Sequence, residues 1–114
     1  MPHSRGIGRE AEDLAAEYLL AKGYTIVTRR HQIRGGELDL VAMDGDVVVF
    51  VEVKLRRSAD ASPEESLTPA KGEHLRRSAS RYLDEMDLQG RCSRFDLIAI
   101  DQGGLRHLEN IFSD

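Results

Sequence analysis

Two carboxylates and a lysine lie close together in the most hydrophobic stretch of this chain. The segment from Val47 to Lys54 reads VVVFVEVK, so Glu52 occupies a position where a buried strand would be expected to carry an apolar side chain. Asp39 comes shortly before this segment. Mg²⁺ prefers oxygen ligands and usually takes one or two carboxylates, leaving other positions to water and substrate phosphate. A lysine beside such a cation could stabilise charge on a phosphoryl group or orient the attacking water. Asp39, Glu52 and Lys54 are therefore candidates for the chemistry of a phosphate ester.

A β-hairpin is predicted to bring these residues together. Residues 37–43 and 46–54 read as strands, and Asp44-Gly45 between them is a strong signal for a two-residue turn. In that register Asp39 pairs with Phe50. Directly paired residues share a face of the sheet, and so do residues two apart on one strand. The charged side chains expected on this one face are Glu37, Asp39, Glu52 and Lys54.

The predicted hairpin gives two of the carboxylates a separation that suits a shared cation. Asp39 and Glu52 are diagonal neighbours in this register, and the α-carbons of such neighbours lie about 7–8 Å apart. Without a cation the two acids would repel each other near the core. The alternative is that acids and a lysine at a strand end form ordinary exposed ion pairs. The residues alone leave both interpretations open.

The surrounding elements predict a single α/β domain that spans residues 1–114. A strand followed by a helix and another strand indicates a right-handed parallel crossover, so the sheet is predicted to be mixed and flanked by helices. The predicted order is α-β-β-β-α-β with one further edge strand: a helix over 7–22, a strand over 24–30, the two hairpin strands, a helix that begins at Thr68-Pro69, a strand over 94–101 and the edge strand over 105–112. The polar connection over 55–67 is long for a compact domain.

Apolar residues at helical spacing predict which face each helix buries. The first helix is expected to bury Ile7, Ala11, Leu14, Ala15, Tyr18 and Leu19. The second is expected to bury Leu75, Ala79, Tyr82 and Met86.

Composition and charge narrow the class of protein. The net charge of −4 argues against a generic basic nucleic-acid-binding protein, yet basic residues cluster in 29–34 and 54–57 and could bind phosphate locally. No apolar stretch approaches the roughly 18 residues that span a bilayer, so no membrane association is expected. Cys92 is the only cysteine, which excludes an internal disulfide framework and fits a reducing cytoplasm.

Several segments together resemble a known family. Asp39, followed at a distance by Glu52-Val53-Lys54, is similar to the signature of the PD-(D/E)xK nuclease superfamily. More narrowly, the chain resembles the YraN-like family of uncharacterised proteins, itself likened to archaeal Holliday junction resolvases. The segments that carry this resemblance are AEDLAAEYLLAKGY (11–24), GELDLVAMDG (36–45), VVVFVEVKLRR (47–57), SPEESLTPAK (62–71) and RFDLIAID (94–101).

The resemblance implies a restriction-endonuclease-like core with a metal-dependent nuclease site. Asp39 and Glu52 would bind Mg²⁺ or Mn²⁺, and Lys54 would be the catalytic lysine. The superfamily often adds a glutamate from the first helix as a further metal ligand, and the matching residue here is Glu12. The implied reaction is hydrolysis of phosphodiester bonds, with branched DNA as one substrate class.

Three further positions keep more than one interpretation. Glu12 is favoured by the resemblance alone, because Glu10 and Glu17 lie at similar angles on the opposite flank of the apolar stripe. Glu37 belongs to the family's Gly-Glu-x-Asp-Leu pattern and is either an outer ligand or a hydrogen-bond partner of nearby backbone. Lys71 also matches a family position and either reaches a phosphate or is simply exposed.

Basic residues near the site are candidates for binding the nucleic-acid backbone, a contact that gives affinity without sequence information. They are Arg29, Arg30, Arg34, Arg56, Arg57 and Lys71. DNA is the expected partner, and a symmetric homodimer would suit cleavage of both strands of a junction. The alternative is a non-catalytic nucleic-acid- or protein-binding module that keeps the nuclease fold. Binding of a divalent cation separates the two hypotheses.

Overall fold

The protein forms one five-stranded sheet with a helix on each face. The computed structural model describes residues 3–56, 64 and 67–112. The helices are α1 (His3–Ala21) and α2 (Pro69–Glu85), and the strands are β1 (Thr25–Ile33), β2 (Gly36–Asp44), β3 (Val47–Leu55), β4 (Ser93–Asp101) and β5 (Gly104–Leu108).

The strands lie in the sheet in their order along the chain, β1-β2-β3-β4-β5. Neighbours are antiparallel except β3 and β4, which run parallel and are connected through α2. A parallel pair needs such a crossover, whereas antiparallel pairs are joined by short turns. The predicted α-β-β-β-α-β order, the further edge strand and the mixed sheet are therefore confirmed. This arrangement is compatible with a restriction-endonuclease-like core.

Each helix covers its own hydrophobic cluster. On the α1 side, Ala15 and Leu19 pack against apolar residues of the central strands, among them Leu40 and Val51. On the α2 side, Ala79 and Tyr82 pack with a second set that includes Val41, Val48 and Phe50. Full burial of a side chain such as Leu19 or Phe50 contributes about 1.5–3 kcal/mol. The two clusters together hold both helices against the sheet. They thereby also position the polar side chains by which the helices reach the site described below.

The buried face of α1 differs from the predicted stripe. Ala16 is fully buried, whereas Leu14 is 52% exposed. The helix therefore buries small side chains, those of Ala11, Ala15 and Ala16, while the larger Leu14 faces solvent. Among the residues that the structure describes, no helix is both long and apolar enough to cross a membrane.

The start of α2 follows the prediction, but its end does not. The side chain of Thr68 accepts a hydrogen bond from the N–H of Lys71, and Pro69 occupies the first turn. Leu75, Ala79 and Tyr82 are buried as expected. Met86 is the C-terminal cap and is 44% exposed, because the helix has already ended at Glu85.

The hairpin between β2 and β3 has a different register from the predicted one. Asp44 pairs with Val47, so the two loop residues are Gly45 and Asp46. Gly45 has φ of 62°, a left-handed value that the first position of a type II′ turn requires and that glycine tolerates best. The register is therefore two residues away from the predicted one. Because side chains alternate with a period of two, a shift of two residues does not by itself move any side chain to the other face.

The edge strands also differ in extent from the prediction. β1 runs to Ile33 rather than ending at residue 30, with a register shift between Ile26 and Thr28. β5 ends at Leu108, where the chain leaves the sheet and Asn110 adopts a positive φ of 57°. The connection predicted over 55–67 lies largely outside the described residues.

Candidate functional site

The site lies where β2 and β3 separate. Within the hairpin, backbone pairing of the two strands ends at Leu40 opposite Val51. Beyond this pair, β2 continues to pair with β1, and β3 continues to pair with β4. Asp39 and Glu52 are the first residues past the last pair, so they stand beside each other at the start of the fork. Here Asp39 Oδ2 accepts a hydrogen bond from the backbone N–H of Val53 at 2.9 Å.

The alternation of side chains along β2 is interrupted at Asp39. Strict alternation would place Leu38 and Leu40 on one side of the sheet, yet Leu38 packs in the α2 cluster and Leu40 in the α1 cluster. Arg30 lies opposite Asp39, between the pairs formed by its two neighbours, and has an unusual positive φ of 51°. The alternation behind the shared-face prediction therefore fails here. Asp39 lies near Glu12 of α1 and beside Glu52, which in turn contacts Lys71 of α2.

Three carboxylates converge on this point. Glu12 of α1, Glu37 and Asp39 each offer a carboxylate oxygen, and these oxygens lie within 4.8 Å of one another. Glu37 also accepts a hydrogen bond from Gln32 Nε2. The structure thus brings together the predicted Glu12 and Asp39, and it places Glu37 within the cluster rather than against backbone alone.

Glu52 joins the cluster through Asp39. The pKa of Asp39 is raised to about 7, mainly by burial and by the negative charge of Glu52. A side-chain hydrogen bond with Glu52 and the charge of Glu12 raise it further, whereas the hydrogen bond from the Val53 N–H lowers it. A like charge held this close disfavours ionisation of Asp39. A divalent cation bound here would relieve the charge repulsion between Asp39 and the neighbouring carboxylates. An all-carboxylate donor set suits Mg²⁺ or Mn²⁺.

Two basic side chains contact the ends of this cluster. Arg30 Nη1 lies 3.7 Å from Glu12 Oε1. Lys71 Nζ lies 2.9 Å from Glu52 Oε2, and the side chain of Glu52 is only 9% exposed. Lys71 was predicted to reach a phosphate or to be exposed, and its ion pair with Glu52 was not predicted. Lys54 is half-buried on β3, two residues beyond Glu52.

The other predicted basic residues lie in varied surroundings. Arg29 is exposed and forms an ion pair with Asp13 at 2.9 Å, so part of its charge is already neutralised. Arg34 is exposed in the turn between β1 and β2, and its carbonyl accepts a hydrogen bond from Arg81. Arg56 is exposed at the end of β3. Arg57 lies outside the described residues.

A second network of buried charge was not predicted. Asp96 is fully buried and accepts hydrogen bonds from Arg94 Nε at 3.0 Å and from the N–H of Asn110 at 3.0 Å. His107 Nε2 lies 2.7 Å from its other oxygen. Burial opposes ionisation of Asp96, but these partners outweigh it and hold the pKa of Asp96 below its usual range. An acid inside the apolar strand RFDLIAID was the signal in the sequence, the same kind of signal that Glu52 gives.

The network around Asp96 joins β4 to β5 and to the segment that follows. Arg94 also donates to the hydroxyl of Tyr24 at 2.6 Å, and Lys22 Nζ lies 3.1 Å from Nδ1 of His107. All these polar groups therefore have partners within the protein. We interpret the network as structural.

Comparison with known proteins places the chain in a family. Residues 11–100 match the model of the family described as "Uncharacterised protein family UPF0102". A UPF0102 protein of Symbiobacterium thermophilum is 45% identical over 101 residues, which cover 88% of this chain and 86% of that protein. One from Pelotomaculum thermopropionicum is 46% identical over 113 residues, covering 93% and 94%. One from Geobacter sulfurreducens is 40% identical over 116 residues, covering 96% and 91%. The chain therefore belongs to family UPF0102, the YraN family to which its sequence motifs pointed.

Proposed function

We propose that this protein is a metal-dependent endonuclease of the PD-(D/E)xK type that hydrolyses phosphodiester bonds in DNA. The observation that carries the proposal is the convergence of Glu12, Glu37 and Asp39 at the fork of β2 and β3, with Glu52 in contact with Asp39. Acids from a helix and from two strands meet there although their charges repel. An ordinary surface ion pair does not require such an arrangement.

The residues present fit a hard divalent cation. Glu12, Glu37 and Asp39 would hold Mg²⁺ or Mn²⁺, and Glu52 would complete the anionic surroundings. When bound, such a cation would activate water for attack on phosphorus and stabilise negative charge on the phosphate. Burial and the charge of Glu52 raise the pKa of Asp39 to about 7, and a bound cation would favour the ionised form of this carboxyl.

The chain's own residues would orient the substrate and stabilise the developing charge. Asp39 is held in place by the N–H of Val53, so its carboxylate is positioned before any ligand binds. Lys54 lies two residues after Glu52 on β3 and is half-buried. Its ammonium group would stabilise the negative charge that grows on the phosphate oxygens. Exposed Arg34 and Arg56 would bind phosphates of the backbone on either side.

A second candidate function is a non-catalytic nucleic-acid- or protein-binding module on the same fold. It is favoured by the two ion pairs at the site, Arg30 with Glu12 and Lys71 with Glu52, which supply part of the counter-charge without a metal. A module of this kind would bind DNA or a protein but would not need a divalent cation.

The substrate, the assembly and the cellular compartment belong to the same proposal. Branched DNA is the first substrate class to test. A symmetric homodimer would present two equivalent sites to the two strands of a junction. We expect the protein to act in the cytoplasm, where DNA is accessible and where its one cysteine, Cys92, remains reduced.

The test is a cleavage assay with purified protein and labelled four-way junctions, flaps, duplex and single strands, with Mg²⁺ or Mn²⁺. A Lys54→Ala variant purified in the same way serves as the control. Cleavage by the wild type and its loss in Lys54→Ala would support the proposal and identify the substrate class. Absence of both cleavage and divalent-cation binding would contradict the enzyme and favour the binding module, whereas cation binding without cleavage would point to a nuclease that needs a partner.

A further inference from the structure

We infer that the ammonium group of Lys71 is the built-in counter-ion of Glu52 and that its charge opposes binding of the divalent cation at the neighbouring carboxylates. The inference rests on the proposed function, because it concerns how the same carboxylate cluster is loaded. It assigns to Lys71 a role in controlling cation affinity, which differs from contact with a phosphate or simple exposure to solvent.

The contact between the two residues is close and sheltered. Lys71 Nζ lies 2.9 Å from Glu52 Oε2, and the side chains of Lys71 and Glu52 are 35% and 9% exposed. A charge-assisted hydrogen bond of this length is stronger than a neutral one. Since Glu52 is almost fully enclosed, water screens its charge poorly, and its carboxylate depends on a nearby cation.

The position of Lys71 is fixed by the fold. Its backbone N–H donates to Thr68 Oγ1 at 3.2 Å, which anchors it in the first turn of α2. The next residue, Gly72, is buried so closely against Phe112 that a β-carbon there would lie 3.0 Å from the ring. The helix start therefore cannot shift easily. Lys71 therefore contacts Glu52 from a position that the start of α2 fixes.

The opposite end of the cluster has a weaker counter-ion. Arg30 lies 3.7 Å from Glu12, and the Arg30 side chain is 41% exposed. That pair is longer and better solvated than the pair of Lys71 with Glu52, so it stabilises charge less. Glu12, Glu37 and Asp39 still offer a divalent cation carboxylate oxygens that lie within 4.8 Å of one another. That cation must bind against the repulsion of the Lys71 ammonium, which lies beside Glu52.

The test compares Lys71→Met with Arg77→Met by calorimetric titration with Mn²⁺ and by thermal unfolding in EDTA and in Mn²⁺. Methionine keeps much of the length of lysine without its charge. Arg77 is an exposed residue of the same helix, so its variant controls for loss of one positive charge. We expect Lys71→Met to unfold at a lower temperature in EDTA, since Glu52 loses its partner. We also expect it to bind Mn²⁺ roughly tenfold more tightly or better, and to gain more thermal stability from Mn²⁺.

The outcomes separate this inference from the proposed function. Unchanged or weaker Mn²⁺ affinity in Lys71→Met, with normal binding by the wild type, would overturn the inference and leave the metal site standing. Absence of Mn²⁺ binding in all variants would overturn both. If Lys71→Met unfolds in EDTA, Glu52→Gln provides the second test, because it removes the charge that Lys71 neutralises. The double variant should then be as stable as Glu52→Gln alone, and a further loss of stability would contradict the inference.

Discussion

The carboxylate of Asp39 accepts the backbone N–H of Val53 at 2.9 Å, just where β2 and β3 stop pairing with each other. One residue thus does two things. Its side chain satisfies a backbone donor of the neighbouring strand, and it is thereby fixed beside Glu52 and Glu12. The separation of β2 and β3 makes room for the carboxylate cluster. Asp39 stabilises this separated arrangement by accepting the N–H of Val53.

This position of Asp39 predicts a pH-dependent cost to the stability of the metal-free protein. Its pKa is raised to about 7 by burial and by the charge of Glu52, whereas an unfolded chain has about 3.9 for aspartate. A raised carboxyl pKa means that ionisation destabilises the fold. The cost is absent below both pKa values, grows as the pH rises between them, and is complete above the folded one.

Asp39→Asn should therefore stabilise the metal-free protein at mildly alkaline pH, by about 2–4 kcal/mol in the free energy of unfolding. The amide oxygen can still accept the N–H of Val53. Urea unfolding in EDTA at mildly acidic and mildly alkaline pH measures the effect, which should shrink at the lower pH. A change of the same size at both pH values would show that the charge of Asp39 is not the cause.

The buried Asp96 predicts the opposite dependence on pH. Burial works against its ionisation, but His107, Arg94 and Asn110 hold its pKa below the usual range. Its contribution to stability is present above the unfolded pKa of about 3.9 and is lost as the pH falls through the lower folded pKa. Asp96→Asn should destabilise the protein by roughly 3–5 kcal/mol near neutral pH, because it breaks a buried charge network.

Asp101→Asn is the matched control for Asp96. Asp101 also pairs with an arginine, Arg106 at 2.9 Å, but in a more exposed position. Its replacement should lower the free energy of unfolding much less than replacement of Asp96 does, because water screens an exposed ion pair. The gap in unfolding free energy between the wild type and Asp96→Asn should narrow in strong acid. Equal costs for the two variants at neutral pH would mean that the Asp96 network contributes little.

Glu12 and Glu17, both on α1, should differ in their effect on cation binding and cleavage. Glu12 lies within the carboxylate cluster, whereas Glu17 is exposed on the same helix. Glu12→Gln should weaken Mn²⁺ binding and lower cleavage by at least about tenfold, comparable to losses seen when support of a metal site is removed. Glu17→Gln should leave both unchanged. Calorimetry and the cleavage assay measure the two effects, and an equal loss in both variants would exclude a specific role of Glu12.

Patterns local to the sequence predicted the fold and the main elements. The hairpin signal around Gly45 predicted a two-residue turn, but glycine can serve at either loop position, so the register was wrong by two residues. The shared side of Glu37, Asp39, Glu52 and Lys54 depended on ideal alternation. The sequence does not reveal the positive φ of Arg30 or the change of face between Leu38 and Leu40.

Contacts between distant segments could not be predicted in the same way. Glu10, Glu12 and Glu17 flank one apolar stripe, and only the rotation of α1 against the sheet distinguishes them. That rotation depends on the close packing of Ala15 and Ala16, which periodicity does not express. Likewise, the pair formed by Lys71 and Glu52 joins a helix to a strand far from it in sequence.

We propose that the carboxylates at the fork of β2 and β3 bind a divalent cation. The most direct measurement is anomalous X-ray diffraction from crystals of the wild type grown with Mn²⁺, with Asp39→Asn crystals as the comparison. We expect an anomalous peak bounded by carboxylate oxygens of Glu12, Glu37 and Asp39, beside Glu52, and we expect this peak to be lost or weakened in the variant. A wild-type map with the four acids ordered and no peak among them would contradict this proposal.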